Sequence, residues 1–542
     1  MAAATPSSAR LPVVAVMLVL LVVTAALLRR CLHVCEGHLV YALDDPYIHM
    51  TMARNLATHG SWGIAPGAFD PASSSPLWTL MLAALVRTFG SHEALPLVLN
   101  VLCMLGVVVV LDRALREVIP RPIVRGGVLL VILPAIGLPG LALTGMEPIL
   151  HVLIALLLAW AAAQRLGGPV PTSRRGEVRI AMLAALAVLA RFESLFLIGS
   201  LGVAALARRR FATAAALAAG VGTALAGYAA FALPQGGLWL PNSVLLHDSL
   251  GHRHAYEGWE QFVRRIPDHF QHDRTEHLPA LLVASAWFLL PRRGITSPHA
   301  SAARVLLAVT GVTLLIHMQL ADLDVFFRRY EAYLVALGVF GVAVALASGL
   351  GGLPDGPFAR LPRVPAPAIA ALAAVTFFTP FLIRGQQLLR WTPRGSQNIY
   401  EQQLQMARFV RERFHDRVVA INDLGAVSYY GGARVIDLCG LASMPIARAI
   451  LAKRYDTAFI ERFCAAQGVE VALVYESWFV GTSSLPRMWV PVARWTLRDN
   501  LAAGDETVTL FATNPATADR VREAEREFSA TLPPLVAVET LP

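Results

Sequence analysis

The stretch YALDDPYIHM, residues 41–50, sets two carboxylates side by side, Asp44 and Asp45, between apolar neighbours. A carboxylate in a partly desolvated place beside a second one holds its proton more firmly, which suits it to take a proton from a hydroxyl. Asp45 stands directly before Pro46 and has a structural use, as N-cap of a short helix with an apolar stripe through Ile48, Met52 and Leu56 and a stop at Gly60. Asp44 has no such duty and is the candidate general base, although the two could exchange roles. The plain alternative is an Asp-Asp-Pro turn open to water.

The elements that would hold this pair are set by composition. Hydrophobic residues make up 56% of the 542-residue chain and charged residues 15%, with a mean hydropathy of +0.55, which excludes an ordinary soluble globular protein and points to a bilayer. LPVVAVMLVLLVVTAALL, residues 11–28, is longer than a signal-peptide core and is followed by RRC rather than a small-residue cleavage site, so it reads as a retained anchor. Further apolar runs centre on 94–111, 126–138, 147–163, 179–190, 194–207, 211–232, 278–291, 303–320, 331–350 and 366–384, for about eleven transmembrane helices. With the N-terminus inside, the cytoplasmic segments collect arginines such as Arg113, Arg116, Arg121, Arg125, Arg174, Arg175 and Arg208 to Arg210, as the positive-inside rule requires. Arg29 and Arg30 fall on the other side.

This alternation needs PLWTLMLAALVRTFG, residues 76–90, to lie along the outer interface, with Trp78 at the headgroup boundary. The acid pair is then extracytoplasmic, in a first outer loop spanning 30–92, and so is everything after residue 385. From 386 to 542 the chain reads as a small α/β domain: helical spacing in QQLQMARFVRERF and ATADRVREAEREF, strands in RVVAIND, VEVALVY and ETVTLFAT. Residues 1–385 form the transmembrane region. Among the five cysteines, Cys439 with Cys464 and Cys31 with Cys35 could pair in an oxidising compartment, or all could be small buried thiols.

A second outer loop, 233–277, holds His247, His252, His254, His269, His272 and His277 with Arg253, Arg264, Arg265 and Arg274. It lacks a His-Glu-x-x-His helix or a Cys/His quartet, so it reads as a polar flap rather than a zinc site. No metal site is expected, although Asp44 and Asp45 could hold Mg²⁺ or Ca²⁺, which favour oxygen ligands. No Gly-rich phosphate loop suggests a nucleotide sugar, and nothing suggests nucleic acid.

The loop from Tyr41 to Leu85 resembles the first extracytoplasmic loop of the GT-C superfamily of membrane glycosyltransferases. It is most similar to bacterial cell-wall arabinofuranosyltransferases and, more distantly, to the protein mannosyltransferase and lipid A aminoarabinose transferase group. The resemblance rests on Asp44, Asp45, Tyr47, Ile48, Arg54, Asn55, Pro66, Gly67, Ser75, Pro76, Leu77 and Trp78. Weaker echoes are LTGMEP (143–148), ARFES (190–194), LPNSV (240–244), DVFFRRYE (324–331) and INDLGAVSYYGGARVIDLCGL (421–441).

The resemblance implies a sugar donor on a polyprenyl monophosphate and a glycan, lipid or protein acceptor, in a multi-pass protein of the bacterial plasma (inner) membrane. It implies displacement at the anomeric carbon, with inversion: a base deprotonates the acceptor hydroxyl while cations take the departing phosphate. Asp44 is the expected base, with Asp45 orienting the loop or sharing the proton. Arg328 and Arg329 are the expected phosphate ligands, with Arg191 as a second candidate; a buried Arg191–Glu193 pair and snorkelling of Arg328 and Arg329 are the alternatives. Glu147, Arg54, Tyr47 and Asn242 complete the expected substrate site, Glu147 being otherwise a helix-end charge in water. A lipid-linked sugar transporter or flippase, an oligosaccharide polymerase and a non-enzymatic envelope scaffold are the rival readings; the charges at one surface and the lack of repeated halves argue against transport.

Overall fold

The computed structural model describes residues 11–167, 173–246, 277–291, 297–320, 326–351, 366–479 and 483–542. Each apolar run lies in a helix: Leu11–Val34, Leu95–Arg116, Pro122–Ile136, Pro148–Gly167, Arg174–Ala190, Ser194–Ala207, Phe211–Ala232, His277–Leu289, Pro298–Leu320, Ala332–Ala345 and Ala366–Glu401. Six helices among the described residues are long and apolar enough to cross a membrane. Apolar side chains such as Leu18, Val22, Leu102, Val203, Val283 and Val375 face outward, where water would penalise them and lipid does not. The fold is that of an integral membrane protein.

Two shorter helices lie between the first two apolar ones, and both have local reasons to form. Asp45–His59 opens with Pro46 in its first turn and stops at Gly60, whose φ of 68° needs no Cβ and whose N–H reaches Leu56 O at 3.2 Å. Pro76–Phe89 starts at Ser75, whose Oγ accepts the Trp78 N–H at 3.3 Å. At 14 residues the second covers about 21 Å, short of the roughly 30 Å hydrocarbon core. Trp78 is not at a headgroup boundary: it is fully buried in the protein, and Leu80 and Phe89 are the exposed residues of that helix.

The expected division at 385/386 falls inside one continuous helix, Ala366–Glu401, which carries the chain from the apolar bundle into the C-terminal domain. Beside that division Arg384 is fully buried. It donates to Glu331 Oε1 at 2.5 Å, Ile136 O at 2.9 Å and Arg328 O at 3.1 Å, and His277 Nε2 lies 2.8 Å from the same Glu331 oxygen. Removing one partner of a buried ion pair strands the other charge. Arg384→Met is therefore expected to cost about 4 kcal/mol, read as a clearly lowered melting midpoint in detergent; an unchanged midpoint would count against it.

The tail is a six-stranded sheet, β1 (Val418–Ile421), β2 (Arg434–Asp437), β3 (Val469–Val474), β4 (Val490–Leu497), β5 (Thr507–Ala512) and β6 (Val536–Thr540), in the order β2-β1-β3-β5-β4-β6. β1 pairs with β2 and β3 in parallel; the other pairings are antiparallel. Alternation buries Val419, Ile421, Val471 and Leu473 on one face, with Phe409 of Gln403–Arg413 and Phe528 of Ala518–Ser529 packing on Trp495. The other face buries Ala420, Ala472 and Val474 against Ile446, Ile460 and Cys464. β1, β3, β5 and both helices match the sequence pattern; β2, β4 and β6 do not stand out in it. All five cysteines are free and buried, so neither possible disulfide is present and the buried-thiol alternative holds.

Candidate active site

The acid pair sits where three chain segments meet. Ala42 N–H donates to Leu143 O at 3.1 Å, and Gly145, at φ 71°, lies so close to the Tyr41 ring and Pro46 that a Cβ there would collide with both. This seats the loop before Glu147 against the start of the Asp45 helix. The third segment comes from the tail.

Asp44 and Asp45 point in different directions, and the N-cap position falls to Asp44 rather than to Asp45. Asp44 is the helix's N-cap residue yet makes no side-chain cap bond to it. Instead its two carboxylate oxygens accept backbone N–H groups from the far helix Gly425–Tyr430: Gly425 N to Oδ2 at 2.5 Å and Ala426 N to Oδ1 at 2.7 Å. Asp44 thus caps a helix of the tail, at a position where that helix's positive end favours an anion. Asp45, expected as the cap, has a side chain 37% exposed and meets Arg329 Nη2 at 2.5 Å.

A second carboxylate shares the Asp44 site. Asp423 accepts from Gln403 Nε2 at 2.8 Å and Tyr475 OH at 3.2 Å. Burial first, and then the neighbouring Asp423 charge, hold the Asp44 carboxyl well above the usual carboxylate range, outweighing the amide from Ala426. Burial raises Asp423 as well. Two adjacent buried carboxylates titrate together, and this pair shares a proton up to a higher pH than a free carboxyl would hold one. A folded-state value raised above the ordinary 3.8 means that the stability this site contributes is full below that value and falls as pH rises toward the folded one. Amide exchange at Gly425 and Ala426 should therefore quicken, beyond the intrinsic pH effect, from mildly acidic to alkaline buffer; a protection factor independent of pH would refute the shared proton.

Other expected substrate residues also hold the tail. Arg54 donates to Tyr429 O at 3.0 Å and lies over the Tyr429 ring. Tyr47 is buried, accepts the Tyr41 N–H at 3.2 Å and packs on Tyr429 and Tyr430. Asn242 donates to Gly440 O at 2.8 Å and Leu441 O at 3.2 Å. None of the three joins the Asp45 cluster.

That cluster is built from separate loops. Arg329 and Arg191 lie over the Tyr330 ring, 5.1 and 4.4 Å from its centre. Arg191 donates to Glu147 Oε1 at 2.6 Å, to Glu193 Oε1 at 2.7 Å and to Glu193 Oε2 at 3.3 Å. Glu147 is fully buried, not a helix end in water, and the Arg191–Glu193 pair exists but is half of a triad. His49, four residues after Asp45 and so on the same helix face, approaches Thr79 Oγ1 at 2.8 Å and Ser74 Oγ at 3.3 Å. Burial lowers its pKa, so the ring is neutral at pH 7.

Arg328 and Arg329 do not act as a pair. Phe327 and Arg328 both have left-handed backbones, φ 62° and 53°, which non-glycine residues adopt at a cost of about 1–3 kcal/mol. The turn sends Arg329 to Asp45 and Arg328 over the Trp391 ring, 5.0 Å away, near the Arg384 network. Both are buried rather than snorkelling. His277 bonds Glu331 in that network; His247, His252, His254, His269, His272 and the four loop arginines lie outside the described residues. No group of three or more His, Cys, Asp or Glu stands together as a metal site among the described residues, and both Asp44 oxygens already accept amides. His49, Tyr330 and Asp423 were not singled out from the sequence, although Tyr330 and Asp423 lie in the echoing segments 324–331 and 421–441 and His49 follows Asp45 at a four-residue spacing.

Comparison with known proteins bears on this arrangement. Residues 397–511 match a family described as a domain of unknown function, DUF8728. No curated protein matches by sequence. Two solved structures match over 93% of this chain and 98% of theirs: ArnT from Cupriavidus metallidurans bound to undecaprenyl phosphate, at 15% identity and a TM-score of 0.50, and the same protein in the apo state, at 14% and 0.51. The chain thus shares the fold of ArnT over nearly its whole length, tail included.

Proposed function

We propose that the protein is a membrane glycosyltransferase that moves a sugar from a polyprenyl-phosphate carrier to a hydroxyl of a cell-envelope glycan, lipid or protein, at the outer face of the plasma membrane. The observation that carries this reading is the 2.5 Å pair of Asp45 and Arg329, set beside the buried Arg191–Glu147–Glu193 triad. The ArnT structure with undecaprenyl phosphate supports the carrier class. The arginine bias of the opposite loops supports the outer placement of the acid pair and of the tail that touches it.

In this reading Asp45 replaces Asp44 as the base, because Asp44 is committed to the tail. The carrier phosphate competes with Asp45 for the Arg329 guanidinium, which binds phosphate well. Released, Asp45 accepts the proton of the acceptor hydroxyl. The acceptor oxygen bonds to the anomeric carbon, the bond from that carbon to the phosphate oxygen breaks, and Arg329 with Arg191 takes up the charge on the departing polyprenyl phosphate. Attack opposite the leaving group inverts the anomeric centre. No step needs a divalent cation.

The test is to supply membranes holding the protein with labelled polyprenyl-phosphate sugars and follow the label by mass spectrometry. One sugar appearing on a new hydroxyl is the expected result. Movement of intact carrier between leaflets without product, or transfer only of a whole oligosaccharide, would overturn it.

A further inference from the structure

Glu147 presents one oxygen to Arg191 and has another to spare. Its Oε1 accepts from Arg191 Nη1 at 2.6 Å, while Oε2 is buried with no hydrogen-bond partner among the described residues. The residue is fully inaccessible to water. A buried carboxylate oxygen without a donor is costly, and its neighbours cannot supply one cheaply. The other Arg191 nitrogens, Nε and Nη2, are both given to Glu193, which uses its two oxygens on them. His49 already faces two hydroxyls. Glu147 also sits within the electrostatic reach of Asp45's surroundings, since its charge acts on both His49 and Arg329.

Resting on the transferase reading, the chemistry of the donor narrows what could fill the vacancy. A prenyl chain has no hydrogen-bond donors. A sugar-bearing phosphodiester at neutral pH has none on the phosphate. The acceptor's reacting hydroxyl is directed to Asp45. Of the groups that the loaded carrier brings, only the hydroxyls of its sugar remain. We infer that Glu147 Oε2 accepts a hydrogen bond from a hydroxyl of the sugar being transferred, making Glu147 the residue that distinguishes a loaded carrier from a bare one and one sugar from another.

A hydrogen bond to a charged group contributes enough to change affinity by about ten- to a hundredfold. Glu147→Gln keeps an oxygen for Arg191 and replaces the spare acceptor by a donor. In nanodiscs it should bind undecaprenyl phosphate as the wild type does, yet bind the loaded carrier about ten- to a hundredfold more weakly, with undecaprenyl-phosphoryl mannose and decaprenyl-phosphoryl arabinofuranose as probes. Monodeoxy analogues of the better probe complete the test: one of them should lose as much on wild type and lose nothing more on Glu147→Gln. Equal weakening toward bare and loaded carriers would mean that Glu147 only steadies Arg191, and would overturn the inference, as would fully additive losses. A wild type that binds neither carrier would instead sink the transferase reading itself.

Discussion

Asp45→Asn is expected to lower sugar transfer about a thousandfold, in the range that removal of a general base produces, while the protein inserts and melts almost as before. The amide keeps the shape of the side chain and one acceptor for Arg329 but cannot take a proton at neutral pH. The structural loss is small because the Asp45 side chain is more than a third exposed, where water screens an ion pair to at most about 1 kcal/mol. Turnover of labelled donor by purified protein, normalised to folded protein, is the measurement. Retention of more than a tenth of wild-type turnover would remove Asp45 from the chemistry and return attention to Asp44.

Gly425→Ala gives the opposite pattern. A Cβ at residue 425 would run into the backbone carbonyl and carboxyl of Asp44, and backbone cannot yield as a flexible side chain would. The helix Gly425–Tyr430 must then lift away, breaking the two N–H hydrogen bonds to Asp44 and leaving buried groups without partners, at about 1–3 kcal/mol each. The bundle should persist while the tail loosens. Limited proteolysis should cut between the two, and transfer should fall at least tenfold through displacement of the neighbouring Asp45. Asp44→Ala should do the same without adding bulk. If either variant keeps both a protease-resistant tail and full turnover, the tail does not position the acid loop.

These two variants also mark where sequence reasoning stopped. The apolar runs were legible because lipid imposes one requirement on every span, and each run became a helix. The buried strands β1, β3 and β5 were legible for the same reason, as compact apolar stretches. β4 carries Pro491, and β6 reads VAVET with exposed positions, so neither announces itself. The acid pair stands out in the sequence, but the position of the helix cap within it does not. Local helix rules assign the cap to the residue before proline, whereas the partner that claims Asp44 lies 381 residues away. No local pattern contains that distance. Likewise Arg328 and Arg329 look like a matched pair until two left-handed residues turn them apart, and Trp78 looks interfacial until the fold buries it completely.

The helix Ala366–Glu401 runs for 36 residues through Pro380 and Pro393, a contour of about 54 Å, against a hydrocarbon slab of roughly 30 Å. The surplus extends past the apolar bundle and carries the sheet as a mast carries its rigging. Bilayers of unequal thickness change the tilt of such a rod, and any tilt swings whatever is fixed to its upper end. Because the domain at that end is held to Asp44 by the Gly425 and Ala426 amides, a change of tilt would load the segment that carries the acid pair.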